Sequence, residues 1–407
     1  MACTFEDLTP LEKRRPGGPR RGRIITSRGV IETPEFLPVG TRATVKALTP
    51  LQLAQIGVQG LLANTYHLYL RPGAEEVRAM GGLHTMMNWH RPIMTDSGGF
   101  QAFSLGAAKE HGVGKLGGVF PHKDAEPPGG HRSGESLVKV DNDGVTFRSY
   151  IDGSTHRFTP ESSIAIQRTL GADLILAFDE CTSPLAGYDY TAESLERTHQ
   201  WALRCLESPR DPHQSLYGIL QGGAYPDLRR QAVDFMTKLP WDAMAIGGSL
   251  GETKEDFHQV LDWTVPHLPP HLPRHLLGIG QMVDIFEGVE RGIDTFDCVI
   301  PTRFARTANV MVGPEFSHRT RRGTLNLKQA RYRNDHSPID PRCPCYTCTN
   351  FHRAYLHFLF ASKEILAGTL CSIHNLTALL SLTREIRSAL EQGRFQALKE
   401  SYLSGVD

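Results

Sequence analysis

Short apolar bursts, each stopped by a polar residue or a glycine, recur along the chain: Pro34 to Val39, Leu61 to Ala63, Pro92 to Thr95, Ala172 to Phe178, Ser215 to Leu220, Ala243 to Ile246, His275 to Ile279 and Thr295 to Ile300. They are too short for helices and almost continuously apolar, which is the signature of strands covered on both faces in a parallel sheet. Helical starts lie between most of them. Thr159-Pro160-Glu161 sets a cap before a proline at the first helical position, and Thr253 to Asp256 forms a capping box ahead of Phe257, Val260 and Leu261. Leu195, Thr198, Ala202 and Cys205 recur at three- and four-residue spacing, giving one buried helical face. Eight strands alternating with helices predict a closed (β/α)8 TIM barrel, with an open doubly wound α/β sheet as the alternative.

The residues that end these bursts carry the chemistry: Asn64, Asp96, Asp179, Gln221, Gly247 with Gly248, Gly280 and Asp297. In a barrel the strand C-termini open onto one face, so three carboxylates and two amides would meet at one mouth. Each alone could equally cap a helix or satisfy buried backbone. Cys298 is a rival to Asp297, but neighbouring strand residues point to opposite faces, so only one of them can face the mouth. Around the barrel, residues 1–33 should form an N-terminal segment with a small antiparallel sheet. Its basic run at 13–23 is either a solvated turn or an RNA contact. The barrel should span 34–318, interrupted at 106–136 by a Gly-, His- and Lys-rich insertion expected to act as a mobile flap. Residues 319–407 should form a zinc-binding and helical subdomain.

Zinc is expected because Cys343, Cys345 and Cys348 crowd together, whereas eight cysteines in 407 residues are too few for a disulfide scaffold. His374 completes a closed Cys3His set, the pattern of a structural tetrahedral ion. His352 and His357, on an expected helix from Asn350 to Ala361, are the competing fourth ligands, and His374 should begin a further helix after Ser372-Ile373. Forty-four basic residues balance 44 acidic ones, which excludes a uniformly basic nucleic-acid coat. A local cluster remains: Arg319, Arg321, Arg322, Lys328, Arg331 and Arg333, with Arg303 and Arg306 after the last strand, suits phosphate. No apolar run near the ~18 residues of a membrane span and no signal-peptide core stand out, so a cytoplasmic protein without membrane association is expected.

Several runs together resemble the tRNA-guanine transglycosylase family: PEFLPVGT (34–41), LANTYHLYLRPG (62–73), TDSGGFQ (95–101), AFDECTSP (177–184), ILQGG (219–223), AIGG (245–248), LLGIG (276–280), GIDTFDCVIPTR (292–303) and CPCYTC with His374. AFDECTSP and CPCYTC look like the bacterial branch. The resemblance implies replacement of the wobble guanine in GUN-anticodon tRNAs (Asp, Asn, His and Tyr type) by a 7-deazaguanine, within queuosine biosynthesis. It selects Asp297 as nucleophile and Asp96 as general base. Ser97, Gly98, Gly99, Phe100, Asp179, Gln221, Gly247, Gly248 and Leu277 match the base pocket. Gly278, Gly280, Asp284, Thr302, Arg303 and Arg306 match RNA-positioning segments. One structural zinc on Cys343, Cys345, Cys348 and His374, and a homodimer, are likewise implied. The loop from Ser249 to Gly251 is one residue shorter than the family's usual spacing. Bacterial members take 7-aminomethyl-7-deazaguanine, the favoured base here, with queuine the alternative. The other rival reading is a non-catalytic tRNA-binding accessory subunit.

Overall fold

The computed structural model describes residues 2–103, 138–248, 250–251, 253–313 and 323–403. Eight parallel strands close into a barrel: Glu35–Gly40, Leu61–Ala63, Ile93–Thr95, Leu174–Leu176, Ser215–Leu220, Ala243–Ile246, Arg274–Leu276 and Thr295–Cys298. The eighth pairs with the first through Thr295 opposite Glu35 and Asp297 opposite Leu37, which completes the ring. The open-sheet alternative is thereby excluded.

Alternation along the strands sorts the core into two layers. Leu37, Val39, Leu62, Met94, Leu174, Leu176, Tyr217, Ile219, Ala243 and Ala245 fill the barrel interior. Phe36, Ile93, Ile175, Leu216, Leu220, Met244, Ile246, Leu276, Phe296 and Cys298 belong to the layer between strands and helices. Cys298 therefore lies behind the barrel wall. The helical starts form as the sequence predicts: Thr159 caps Pro160–Leu170 and Thr253 caps Lys254–Thr264, each in a reciprocal capping box. Leu195, Thr198, Ala202 and Cys205 are all buried on Tyr188–Glu207.

The N-terminal strands Thr4–Asp7, Gly22–Thr26 and Gly29–Thr33 form an antiparallel sheet. Cys3, Ile24 and Ile31 join the interior cluster, and Cys3 N–H donates to Ser215 Oγ at 2.6 Å, so this sheet plugs the end where strands begin. The basic run at 13–23 is divided: Arg20 is buried against Asp294 and Arg21 pairs with Glu32 and Glu391, whereas Lys13, Arg14 and Arg15 are exposed.

A second antiparallel sheet, Val138–Asp141, Gly144–Arg148 and Thr155–Phe158, lies between the third and fourth barrel strands and is absent from the sequence-based expectation. Its signal is the period-2 alternation of a sheet with one face covered, which a search for continuous apolar runs passes over. The insertion at 106–136 lies outside the described residues, as do Arg319, Arg321 and Arg322.

At the C-terminal end, Leu366–Glu391 is one helix of 26 residues packed on Ile300–Arg306 and on the first barrel strand. His374 sits inside it rather than at a start, because Leu366 to Cys371 already continue the helical period. Mean hydropathy reaches 1.3 in its most apolar window, long enough for a membrane span by composition, but 72% of that window is buried within the protein. Arg353–Ala361 begins three residues later than the expected Asn350, which ends the separate short helix Tyr346–Asn350.

Candidate active site

Asp96 follows the third strand and Asp297 lies near the end of the eighth, so the closed ring brings both to the C-terminal mouth. Asp96 Oδ1 accepts the Thr65 N–H at 2.8 Å, and its other oxygen accepts from the Asn64 amide. Asn64 also caps the helix Thr65–Leu70 through the His67 N–H at 2.9 Å. Burial, helped by the negative charge of Asp297, pushes the Asp96 carboxyl up to about 7 against the hydrogen bonds that lower it. The charge of Asp297 thus reaches Asp96 across the mouth.

Asp297 is buried, with Oδ1 accepting the Gly278 N–H at 3.0 Å and lying 3.2 Å from His275 Nε2. Its Oδ2 has no hydrogen-bond partner among the described residues. Past the end of the strand next to that of Asp96, Asp179 accepts from Ser97 Oγ at 3.1 Å and from Gln221 Nε2 at 2.5 Å. Burial pushes Asp179 up to about 6. Ser97 is held in turn, its carbonyl accepting from Ser163 Oγ at 2.7 Å and its hydroxyl accepting the Gly99 N–H at 3.2 Å. Gln221 Oε1 is buried without a partner among the described residues, which suits an acceptor for a ligand donor.

Two glycines are required by close approach. Gly98, at φ +79°, would bring a Cβ to 2.9 Å from Phe158, and Gly248, at φ +83°, would put one 2.0 Å from Gln221 Oε1. Gly247 lies against Ile219 and Gln221. Phe100 is half exposed and Leu277 partly buried, two apolar surfaces at the mouth. An acidic acceptor, an amide and apolar flanks are the means of reading a planar base with ring N–H donors.

The RNA-positioning set is less uniform. Gly278 and Arg306 are exposed and Arg303 is partly buried, whereas Thr302, Gly280 and Asp284 are buried. Burial raises the Asp284 carboxyl, opposed by Lys254, whose Nζ lies 3.2 Å away. The sequence reading missed Arg42 and Lys46, exposed on the loop after the first strand. The Lys46 ammonium is lowered by burial and by the charges of Arg306, Arg42 and Arg303, so four cations from two distant segments share one rim. Arg229 was missed as well: fully buried, it donates to the carbonyls of Gly223, Leu220 and Gly247 and holds the glycine loops that carry Gln221 and Gly248. Of the shortened loop, Ser249 and Glu252 lie outside the described residues, while Leu250 and Gly251 are buried.

The ligand atoms of Cys343, Cys345, Cys348 and His374 lie within 4.8 Å of one another. His374 Nε2 donates to the Met311 carbonyl at 2.7 Å, which leaves the Nδ1 lone pair facing Cys348 Sγ at 3.2 Å and Cys345 Sγ at 3.7 Å. A histidine oriented by its other nitrogen, opposite three thiols, fits a tetrahedral metal with no open position. His357 instead bonds the Leu327 carbonyl, and His352 stands at the N-cap position of the helix that follows, its side chain making no cap bond.

Comparison with known proteins matches residues 16–116 and 128–406 to the family model described as queuine tRNA-ribosyltransferase. The chain is 49% identical over 399 residues to the queuine tRNA-ribosyltransferase of Roseiflexus sp. (strain RS-1), covering 94% of this chain and 96% of that one. It is 46% identical over 389 residues to the protein of that name in Herpetosiphon aurantiacus, covering 95% and 90%. A putative queuine tRNA-ribosyltransferase of Archaeoglobus fulgidus is 44% identical over 388 residues, covering 94% and 96%.

Proposed function

The chain belongs to the queuine tRNA-ribosyltransferase family, and from that premise we propose that it exchanges the wobble guanine of GUN-anticodon tRNAs for a 7-deazaguanine through a ribosyl ester on Asp297. As a pentosyltransferase it must break one C1′–N9 bond and make another at the same carbon. Asp297 Oδ2 attacks C1′, and the bonding pair leaves with guanine, whose N9 takes up the proton of Asp96 and leaves that carboxylate ionised. A planar base then enters the vacated pocket and attacks C1′ through its own N9. The N9 proton passes to Asp96, and the ester pair returns to Asp297. A carboxyl pushed up to about 7 suits both proton movements.

The base must first leave its stack, and Asp179 with the free Gln221 acceptor would read its Watson–Crick edge between Phe100 and Leu277. Arg42, Lys46, Arg303 and Arg306 would hold the flanking phosphates. Cys343, Cys345, Cys348 and His374 would hold one zinc ion, which would tie the helix Tyr346–Asn350 to Leu366–Glu391 and supply no reacting group. The favoured incoming base is 7-aminomethyl-7-deazaguanine. Competition between this base and queuine for labelled tRNA tests that choice, and exclusive use of queuine would reverse it.

The observation that carries the proposal is the pair of acids at one mouth, one with an unpartnered oxygen and the other raised towards neutrality. Its test is acid quenching during turnover with an anticodon stem-loop, followed by mapping of the RNA-bearing peptide. The adduct should reside on the peptide containing Asp297. An adduct elsewhere, or turnover without one, would overturn the mechanism, and unchanged RNA binding without exchange would favour an accessory role.

A further inference from the structure

His275 is fully buried on the seventh barrel strand, with Nδ1 2.9 Å from Thr295 Oγ1 and Nε2 3.2 Å from Asp297 Oδ1. The alternation that sends Asp297 inwards also sends Thr295 inwards, and the neighbouring strand presents His275 between them. Donor and acceptor roles follow from the carboxylate. An ionised carboxylate only accepts, so Nε2 must carry the hydrogen in the neutral ring. Nδ1 is then an acceptor, and the Thr295 hydroxyl must donate to it. The result is a one-way chain, Thr295 O–H to His275 Nδ1 and His275 Nε2–H to Asp297 Oδ1.

Gly278 N–H ends on that same Oδ1, at 3.0 Å. Two donors therefore hold one oxygen and neither engages the other. We propose that His275 is a positioning residue for the exchange reaction, fixing Oδ2 as the attacking atom and easing departure of the Asp297 carboxylate from the ribosyl ester. The inference rests on the proposed role of Asp297.

Its chemistry is symmetrical in atoms and asymmetric in effect. When Oδ2 bonds C1′, Oδ1 becomes the ester carbonyl oxygen and its two donors bond a weaker acceptor. When the incoming N9 displaces the ester, the Oδ2–C1′ pair returns to the carboxylate and negative charge spreads onto Oδ1. There the His275 and Gly278 hydrogens are already placed, so no reorganisation is needed as charge develops. Loss of the His275 donor should slow ester breakdown more than ester formation. A residue that merely filled space would not separate these steps.

The test compares His275→Phe, which keeps a ring without a donor, with His275→Gln, whose amide nitrogen can occupy the place of Nε2, and with Thr295→Val. Steady-state kcat and KM for tRNA, single-turnover formation and breakdown of the acid-stable adduct, and Tm are measured for each full-length enzyme. His275→Phe should lose about 30- to 100-fold in kcat, with KM within about threefold and more adduct at steady state. His275→Gln should recover to within about tenfold of wild type, and Thr295→Val should fall between them. Equal losses in His275→Phe and His275→Gln with parallel falls in Tm, or unchanged breakdown in His275→Phe, would overturn the proposal. Should His275→Phe fail to fold, the adduct kinetics of His275→Gln and Thr295→Val decide it. Wild-type adduct on another peptide would instead remove the Asp297 mechanism itself, so the two failures are distinguishable.

Discussion

Asp294 and Asp297 lie three residues apart at opposite ends of the eighth strand and have opposite surroundings. Asp294, at the plugged end, is fully buried; Arg20 bonds both its oxygens, and the Arg274 N–H donates to Oδ2 at 2.6 Å. Asp297, at the open end, has no Lys or Arg partner among the described residues and keeps one oxygen free. The same side chain on the same strand is thus neutralised as a cross-link at one end and left available at the other. A buried acid whose oxygens are engaged by a cation and a backbone N–H has no reason to react, and one with an idle oxygen clamps nothing through it.

Substitutions should separate the two ends. Asp297→Asn removes the nucleophilic oxygen and should lower exchange by at least ~1000-fold, with Tm nearly unchanged. If Tm collapses with activity, Asp297 is structural and the contrast between the two ends fails. Asp294→Asn should do the reverse, costing about 3–5 kcal/mol in urea unfolding because it strands the buried Arg20 charge. Exchange per folded molecule should stay within about threefold. At the pocket, Asp179→Asn should raise the KM for the incoming base about 10- to 100-fold, the worth of a hydrogen bond to a charged acceptor, with little change in tRNA binding.

The gentlest probe is pH. Asp96 is a base only when ionised, and its carboxyl is pushed up to about 7. Below that pH the proton is bound, so kcat/KM for the incoming base, which needs the ionised form, should fall about tenfold per unit as pH drops and level off above it. A limb that persists unchanged in the residual activity of Asp96→Asn would assign it to another group.

Most of the barrel was legible because each strand is a continuous apolar burst with a polar stop. Leu61–Ala63, Ser215–Leu220 and Ala243–Ile246 match the sequence reading to the residue. The strand-end acids were legible for the same reason, since a carboxylate or amide closing a buried strand is conspicuous. The sheet from Val138 to Phe158 was not, because half-covered strands alternate instead of running apolar. His275 was read only as the start of an apolar burst. Its inward parity with Leu277 was the available signal, but a lone histidine at a strand start is ordinary until its neighbours are known. Arg42 and Lys46 were hidden because they sit 257 or more residues before Arg303 and look solvated in isolation.

The order of residues by itself determined local period, strand and helix starts, and the clustering of three thiols within six positions. It also set the family motifs, because these depend on neighbours along the chain. Tertiary structure alone decided which acid meets which cation, that Arg20 leaves a basic turn to clamp Asp294, and that His275 and Gly278 converge on one oxygen of Asp297. The reason is electrostatic: a charge is set by the groups a few ångströms away in space, and barrel closure chooses those groups from segments far apart in the chain.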